Sequence, residues 1–303
     1  MDWLTEPLVW WIEPFTDNVF MRDALVASLL AVVTTSVIGT WVVLRGLAFL
    51  GDALAHGVLP GVAIAFVVGG NTTVGALMAA LAMVLGVNAL RTRSPLPEDT
   101  SIGVLFVGFL ALAVVIMSTE SASYAGDLNR FLFGSVTGIT DADLIRQGIA
   151  AVVVVATVIV FHRAFLVLTF DETQAALLGL RPRLANIVLL ALLAVAVVAT
   201  FETVGNLLVF SFLIAPPAAA ALLVRRVPLI MVTAVGLGAL SAVLGLLINF
   251  HHGSAPSATM ALVATGIFAL ALIGRGVADS AAERRAFAGQ SDGDDNMSPV
   301  PQL

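Results

Sequence analysis

Nine apolar runs, each long enough to cross a hydrocarbon core, dominate this sequence and leave little room for any other fold class. They fall at about 20–44, 47–68, 72–90, 101–118, 143–162, 184–201, 204–224, 228–250 and 256–274, where a membrane helix needs roughly 17–25 residues. The fourth is short, and only Glu202 to Gly205 separates the sixth from the seventh. Eight or nine spans are therefore expected. Hydrophobic residues make up 59% of the chain and charged ones 11%, with a mean hydropathy of +1.04; a soluble domain carries about one quarter charged residues. The expectation is an all-α polytopic membrane protein.

Arginine placement orients the spans, because short cytoplasmic loops carry the positive excess. With nine spans and the N-terminus outside, eleven arginines fall inside: 45, 91, 93, 163, 181, 183, 225, 226, 275, 284 and 285. Only Arg22, Arg130 and Arg146 fall outside. The C-terminus is thus expected in the cytoplasm of a cell whose plasma or inner membrane holds the chain. Residues 1–19 have four carboxylates and no basic n-region, and so do not read as a secretory signal. Their tryptophans, Trp3, Trp10 and Trp11, suit an extracytoplasmic segment at the lipid–water interface. Residues 20–275 form the transmembrane unit. The Ala-, Ser- and Asp-rich stretch 276–303 is expected to be a largely disordered cytoplasmic tail. Outside, Arg130-Phe131-Leu132-Phe133-Gly134 suggests a short interfacial helix ended by glycine.

Several chemistries are excluded. There is no cysteine, so no disulfide or thiolate metal site, and all 14 basic residues are arginine. Without lysine there is no phosphate loop of the GxxxxGK[ST] kind and no Schiff-base chemistry. If ATP is used, another chain binds and hydrolyses it; this chain needs no cofactor of its own and is not an enzyme. No GxSxG element supports nucleophilic catalysis. No nucleic-acid partner is expected for a chain with a formal net charge of −6.

Within the second run, Asp52 and His56 stand four residues apart, on one face of a helix. An intramembrane carboxylate costs about 2.5–3.5 kcal/mol on insertion scales, so it points to function. At ~1.5 Å per residue from Arg45, the pair sits near mid-depth. Pro60 has no N–H for the carbonyl of His56, which predicts a helix break there, and Gly61 follows it. Imidazole with carboxylate suits Zn²⁺ or Mn²⁺ better than Ca²⁺ or Mg²⁺. Two ligands are not a site, but a second copy across a two-fold axis would supply two more. The alternative is an Asp–His hydrogen bond that satisfies two buried groups and pins helices together.

Two further stretches stand out. Asp171 can cap a short cytoplasmic helix with Glu172 in its first turn and Gly179 at its end, while Ala175 and neighbours give it a small apolar face. Such a helix is either a docking knob for another protein or an ordinary interfacial helix. In Val204-Gly205-Asn206-Leu207-Leu208-Val209 to Pro216-Pro217-Ala218-Ala219-Ala220, the prolines release the carbonyls of Phe212 and Leu213, and the alanines permit close approach. That stretch is expected to hold broken or kinked helix near a path. Glu202 could attract cations at its outer mouth, and His251 with His252 could take up metal outside, although adjacent side chains point apart.

Three of these segments together resemble one family, the transmembrane permease subunits of zinc/manganese/iron ABC importers. The resemblance is carried by Gly39-x-x-Val42-Val43-Leu44-Arg45 with Phe49-Leu50-Gly51-Asp52-Ala53-Leu54-x-His56-x-Val58-Leu59-Pro60-Gly61; by Phe170-Asp171-x-x-x-Ala175-x-x-x-Gly179; and by Val204-Gly205-x-Leu207-Leu208-Val209 to Pro216. It implies a homodimer or heterodimer of permeases, two cytoplasmic ATPase subunits, an extracytoplasmic metal-binding receptor and alternating access. It implies that Asp52 and His56 coordinate a Zn, Mn or Fe ion in the channel, and that 171–179 is the coupling helix seated in an ATPase cleft. Ala55 stands where the family has serine, Gly57 follows His56, and Pro217-Ala218-Ala219-Ala220 lacks the family's hydroxyl; these departures bear on which metal is taken. The rivals are a proton-coupled secondary transporter relaying protons through Asp52 and His56, and a membrane anchor with no path.

Overall fold

The computed structural model of the protein describes residues 7–93, 95, 97–118, 138–170 and 181–294. Every regular element among them is helical: α1 (Pro7–Asp17), α2 (Val19–Leu44), α3 (Ala48–Gly57), α4 (Leu59–Val67), α5 (Thr72–Arg93), α6 (Glu98–Ser118), α7 (Asp141–Phe170), α8 (Pro182–Val204), α9 (Asn206–Leu223), α10 (Val227–His252) and α11 (Pro256–Asp294). With α3 and α4 taken as one broken crossing, nine spans among the described residues are long and apolar enough to cross a membrane. Helical backbone continues in α11 to Asp294, through much of the tail whose composition suggests disorder. The expected interfacial helix at 130–134 and the stretch 171–180 lie outside the described residues.

The bundle is built around α2, the most buried of the nine spans, which packs against α3, α7, α8, α9 and α10. A helix hydrophobic all round belongs in the interior, but α2 also carries Thr34, Thr35, Ser36 and Thr40, all buried. Three of the hydroxyls are absorbed by the helix itself: Thr34, Thr35 and Thr40 donate to the carbonyls of Leu30, Ala31 and Ser36 at 2.7, 2.7 and 2.9 Å. Each thereby satisfies its donor without a partner helix.

Ser36 does something else. Its hydroxyl donates across to the Phe212 carbonyl at 3.2 Å, the acceptor that Pro216 leaves without its i+4 N–H. Beside it, a Cβ on Gly39 would overlap the Leu213 carbonyl, the one released by Pro217. Thus α2 attends to both freed carbonyls, one by a hydrogen bond and one by close backbone approach. Of the two expected alternatives, a broken or a kinked helix, the break does not occur: Pro216 and Pro217 are buried inside a continuous α9. A second close approach joins α4 to α5, where a Cβ on Gly61 or Gly75 would overlap the carbonyl of the other. Small residues at such crossings are what let membrane helices pack without a hydrophobic drive between them.

Gly39→Val should therefore push α2 from α9 and destabilise the protein by about 1–3 kcal/mol, the usual range for overpacking. Gly236, where an added Cβ would meet nothing within 4 Å, is the control. A thermal melt of the detergent-solubilised protein should fall for Gly39→Val and not for Gly236→Ala; equal melts would contradict the close contact.

Candidate functional site

The second crossing breaks at Val58, two residues past His56, rather than at the imidazole itself. Pro60 occupies the first turn of α4, where its missing N–H is tolerated. The break is sealed locally: N–H groups at the end of α3 reach the carbonyls of Leu54 and His56, and those of Gly61 and Val62 both reach Val58, at 3.1 and 3.2 Å. The carbonyl of His56 is thus occupied.

Packing decides which way α3 faces. Leu50, Ala53 and Leu54 are fully buried. Gly51 lies against the Leu213 side chain of α9, and Gly57 against Met83 of α5. The face left over carries Asp52 and His56, with side chains 32% and 26% exposed. The Phe106 ring of α6 stands edge-on to the imidazole, centroids 5.7 Å apart. Asp52 Oδ1 and His56 Nε2 are 3.7 Å apart, too far for a hydrogen bond. That spacing suits two ligands of one ion: with metal bonds of about 2.1 Å, atoms 3.7 Å apart subtend about 120° at the metal.

A third polar group joins them from a distant part of the chain. Gly205 connects α8 to α9 with φ 81° and ψ 156°, a region open essentially to glycine alone. It brings Asn206 to the start of α9, with Nδ2 3.3 Å from His56 Nδ1 and 3.4 Å from Nε2. The carbonyl of Val204, freed by the break, accepts from the buried hydroxyl of Ser257 in α11 at 2.9 Å. Asn206 is the unassigned residue of its sequence motif, and nothing in the motif gives it a role. Its one local signal is the glycine before it.

Asp52, His56 and Asn206 line a groove of about 750 Å³ between α3, α9 and α11 whose other walls include Phe210, Ile214, Leu262 and Phe268. Ser211 and Thr265 also border it, but both hydroxyls donate to the Ala261 carbonyl, at 3.4 and 2.9 Å. Among the described residues no three His, Asp or Glu side chains gather closely enough to hold a metal ion. One chain thus presents a carboxylate, an imidazole and an amide at the edge of an apolar groove.

The remaining candidates are placed apart from it. His251 stacks on Trp10 of α1, centroids 4.5 Å apart, with Nε2 3.3 Å from the Trp10 carbonyl. His252 turns to the Ile248 carbonyl at 3.2 Å. The two imidazoles therefore face different neighbours. Asp171, Glu172, Ala175 and Gly179 lie outside the described residues.

This architecture, nine spans of membrane length among the described residues with one broken crossing bearing ligand-type side chains, is that of a polytopic α-helical membrane protein. The profile of the family described as "ABC 3 transport family" matches residues 17–275, and the chain belongs to that family. It is 37% identical over 254 residues to the manganese transport system membrane protein MntC of Listeria monocytogenes, covering 84% of this chain and 90% of that one. It is 30% identical over 271 residues to a probable iron transport system membrane protein of Haemophilus influenzae, covering 89% and 96%. Among solved structures, PsaBC from Streptococcus pneumoniae in complex with Fab superposes with a TM-score of 0.77 at 27% identity, over 86% of this chain and 94% of that one.

The Gly205 junction gives a direct test of the scaffold. Gly205→Ala forces a side chain into backbone territory that costs about 1–3 kcal/mol, whereas Gly253 sits at φ 64° and ψ 25°, which other residues reach at about 1 kcal/mol or a little more. Thermal melting should drop more for Gly205→Ala than for Gly253→Ala; the reverse order would contradict the described junction.

Proposed function

We propose that the chain is the membrane permease subunit of an ATP-driven importer that moves a divalent transition-metal ion, Mn²⁺ or Fe²⁺, into the cell. The observation that carries this reading is the 3.7 Å separation of Asp52 Oδ1 and His56 Nε2 on the one face of α3 left open by packing. The names of the relatives, manganese and iron transport proteins, supply the class of cargo. A second permease copy, the same chain or a sister, brings its own pair to the two-fold axis and adds two more donors to the ion. An extracytoplasmic receptor delivers the metal, and two cytoplasmic ATPase subunits bind and hydrolyse ATP.

In this reading Asp52 supplies charge and a hard oxygen, and His56 a nitrogen that selects transition metals over Ca²⁺ and Mg²⁺. Residues 171–179 are the segment that docks on the ATPase. Motion there passes into α8, which begins at Pro182, three residues past Gly179. Asn186 of α8 accepts from Arg45 at 2.8 Å, and Arg45 lies just ahead of α3, the helix of the metal ligands. ATP binding would thus pull on α3 through a polar clasp and rock the site between its two openings. The arginine distribution supports a cytoplasmic C-terminus.

In cells that depend on this transporter, Asp52→Asn and His56→Ala should each reduce metal uptake to background while the complex still assembles. Wild-type uptake by both variants would remove the ligand assignment. Substitution of Glu172 or Gly179 should leave permease dimers intact yet break the link between ATP hydrolysis and uptake, read as hydrolysis no longer stimulated by metal-loaded receptor. Normal stimulation would rule out the docking role. Uptake by vesicles lacking any ATPase, driven by a proton gradient, would favour the proton-coupled alternative.

A further inference from the structure

Asn206 has a buried amide with an unusual environment. The residue is 6% exposed, and its Oδ1 is buried with no hydrogen-bond partner among the described residues. A buried carboxamide oxygen left this way forfeits about 1–3 kcal/mol. The other end of the amide, Nδ2, is almost equidistant from the two imidazole nitrogens, 3.3 and 3.4 Å. Since those nitrogens are about 2.2 Å apart within a ring of fixed geometry, an atom equidistant from both at such range lies off the ring plane. It therefore aims along neither lone pair. The contact is not a well-directed hydrogen bond, and the imidazole keeps a nitrogen for another partner.

We propose that Asn206 is a third ligand of the transported ion, bound through Oδ1. The proposal rests on the reading of Asp52 and His56 as metal ligands. Turning the carboxamide by 180° about χ2 exchanges its oxygen and nitrogen: Oδ1 gives up no hydrogen bond in leaving its present place, and Nδ2 takes over that unpartnered position. The oxygen then faces the imidazole from where Nδ2 is now, 3.4 Å from His56 Nε2, and a swing of the Asn206 side chain about χ1 carries it from above the ring to the lone-pair side of Nε2, where one ion reaches both. Each chain would contribute a carboxylate oxygen, an imidazole nitrogen and an amide oxygen. Two chains make six donors, four of them oxygen. Such a shell suits Mn²⁺ or Fe²⁺, whereas an Asp₂His₂ set of four donors is the number Zn²⁺ prefers. Asn206 is then a specificity-determining residue: it distinguishes an oxygen-rich six-donor site from a four-donor one.

The test is the affinity of the purified permease–ATPase complex in nanodiscs for Mn²⁺ and for Zn²⁺, each titrated alone. Asn206→Leu keeps the volume and removes the donor; Asn206→Asp keeps an oxygen in the same place. Asn206→Leu should weaken Mn²⁺ binding about tenfold or more, the scale on which ligand-shell changes act, and leave Zn²⁺ within about threefold. Asn206→Asp should keep Mn²⁺ within about threefold of the parent. Equal weakening of both metals, unchanged Mn²⁺ binding in Asn206→Leu, or failure of Asn206→Asp to hold Mn²⁺ would each overturn the proposal. If Asn206→Leu does not assemble, Asn206→Ser, whose hydroxyl is too short to reach the ion, takes its place with the same outcomes. Asp52→Asn, titrated in parallel, separates the two levels: parental Mn²⁺ binding there removes the underlying site, while a failure confined to Asn206 removes only its role.

Discussion

A carboxylate inside a bilayer has to be compensated, and on the proposed reading Asp52 stands where that compensation is temporary and comes from the cargo. A partner such as arginine would neutralise it permanently and leave nothing for cargo. Instead it sits 3.7 Å from an imidazole, close enough to share an ion and too far to satisfy itself. The surroundings make that gap persistent. Leu50, Ala53 and Leu54 anchor the opposite face of α3 in the core, and glycines at 51 and 57 let Leu213 and Met83 press against its flanks. Rotating α3 to bury Asp52 would break these contacts together.

The same logic governs the backbone. In lipid every freed peptide group needs a partner, and three irregular places in this bundle each have one. Val58 accepts two N–H groups at the break in the second crossing. Ser257 covers the Val204 carbonyl at the Gly205 junction. Ser36 covers the Phe212 carbonyl below Pro216. The last two links are made by α11 and α2, so the irregularities that shape the groove also tie the bundle together. That gives the site walls on α9 and α11, with the approach to α3 clasped by Arg45 and Asn186.

The all-α membrane fold is legible in the sequence because run length and hydropathy are local properties. Most of the expected spans start and end within a few residues of the helices, and the doubtful pair at 184–224 resolves into α8 and α9 at Gly205. Asp52 and His56 are equally legible, as a costly pair at helical spacing. What escapes is set by distance along the chain. Pro216 and Pro217 leave a break and a kink equally open because the partners that make an unbroken helix tolerable, Ser36 and Gly39, lie more than 170 residues away. Asn206 is 150 residues from His56, and nothing in its own motif signals that Gly205 turns it toward the imidazole. Pro60 does mark an interruption, but its chemistry alone places it at His56; capping N–H groups move it to Val58.

Everything in the proposed transport cycle depends on two copies of this chain holding one metal ion between their Asp52 and His56 side chains. X-ray absorption of the Mn²⁺-loaded permease–ATPase complex tests this most directly, with metal counted on the same sample. One ion per pair of permease chains is expected, with two imidazole nitrogens in its shell, both lost on His56→Ala. An ion bound by each chain separately, or a shell without imidazole, would contradict the shared site.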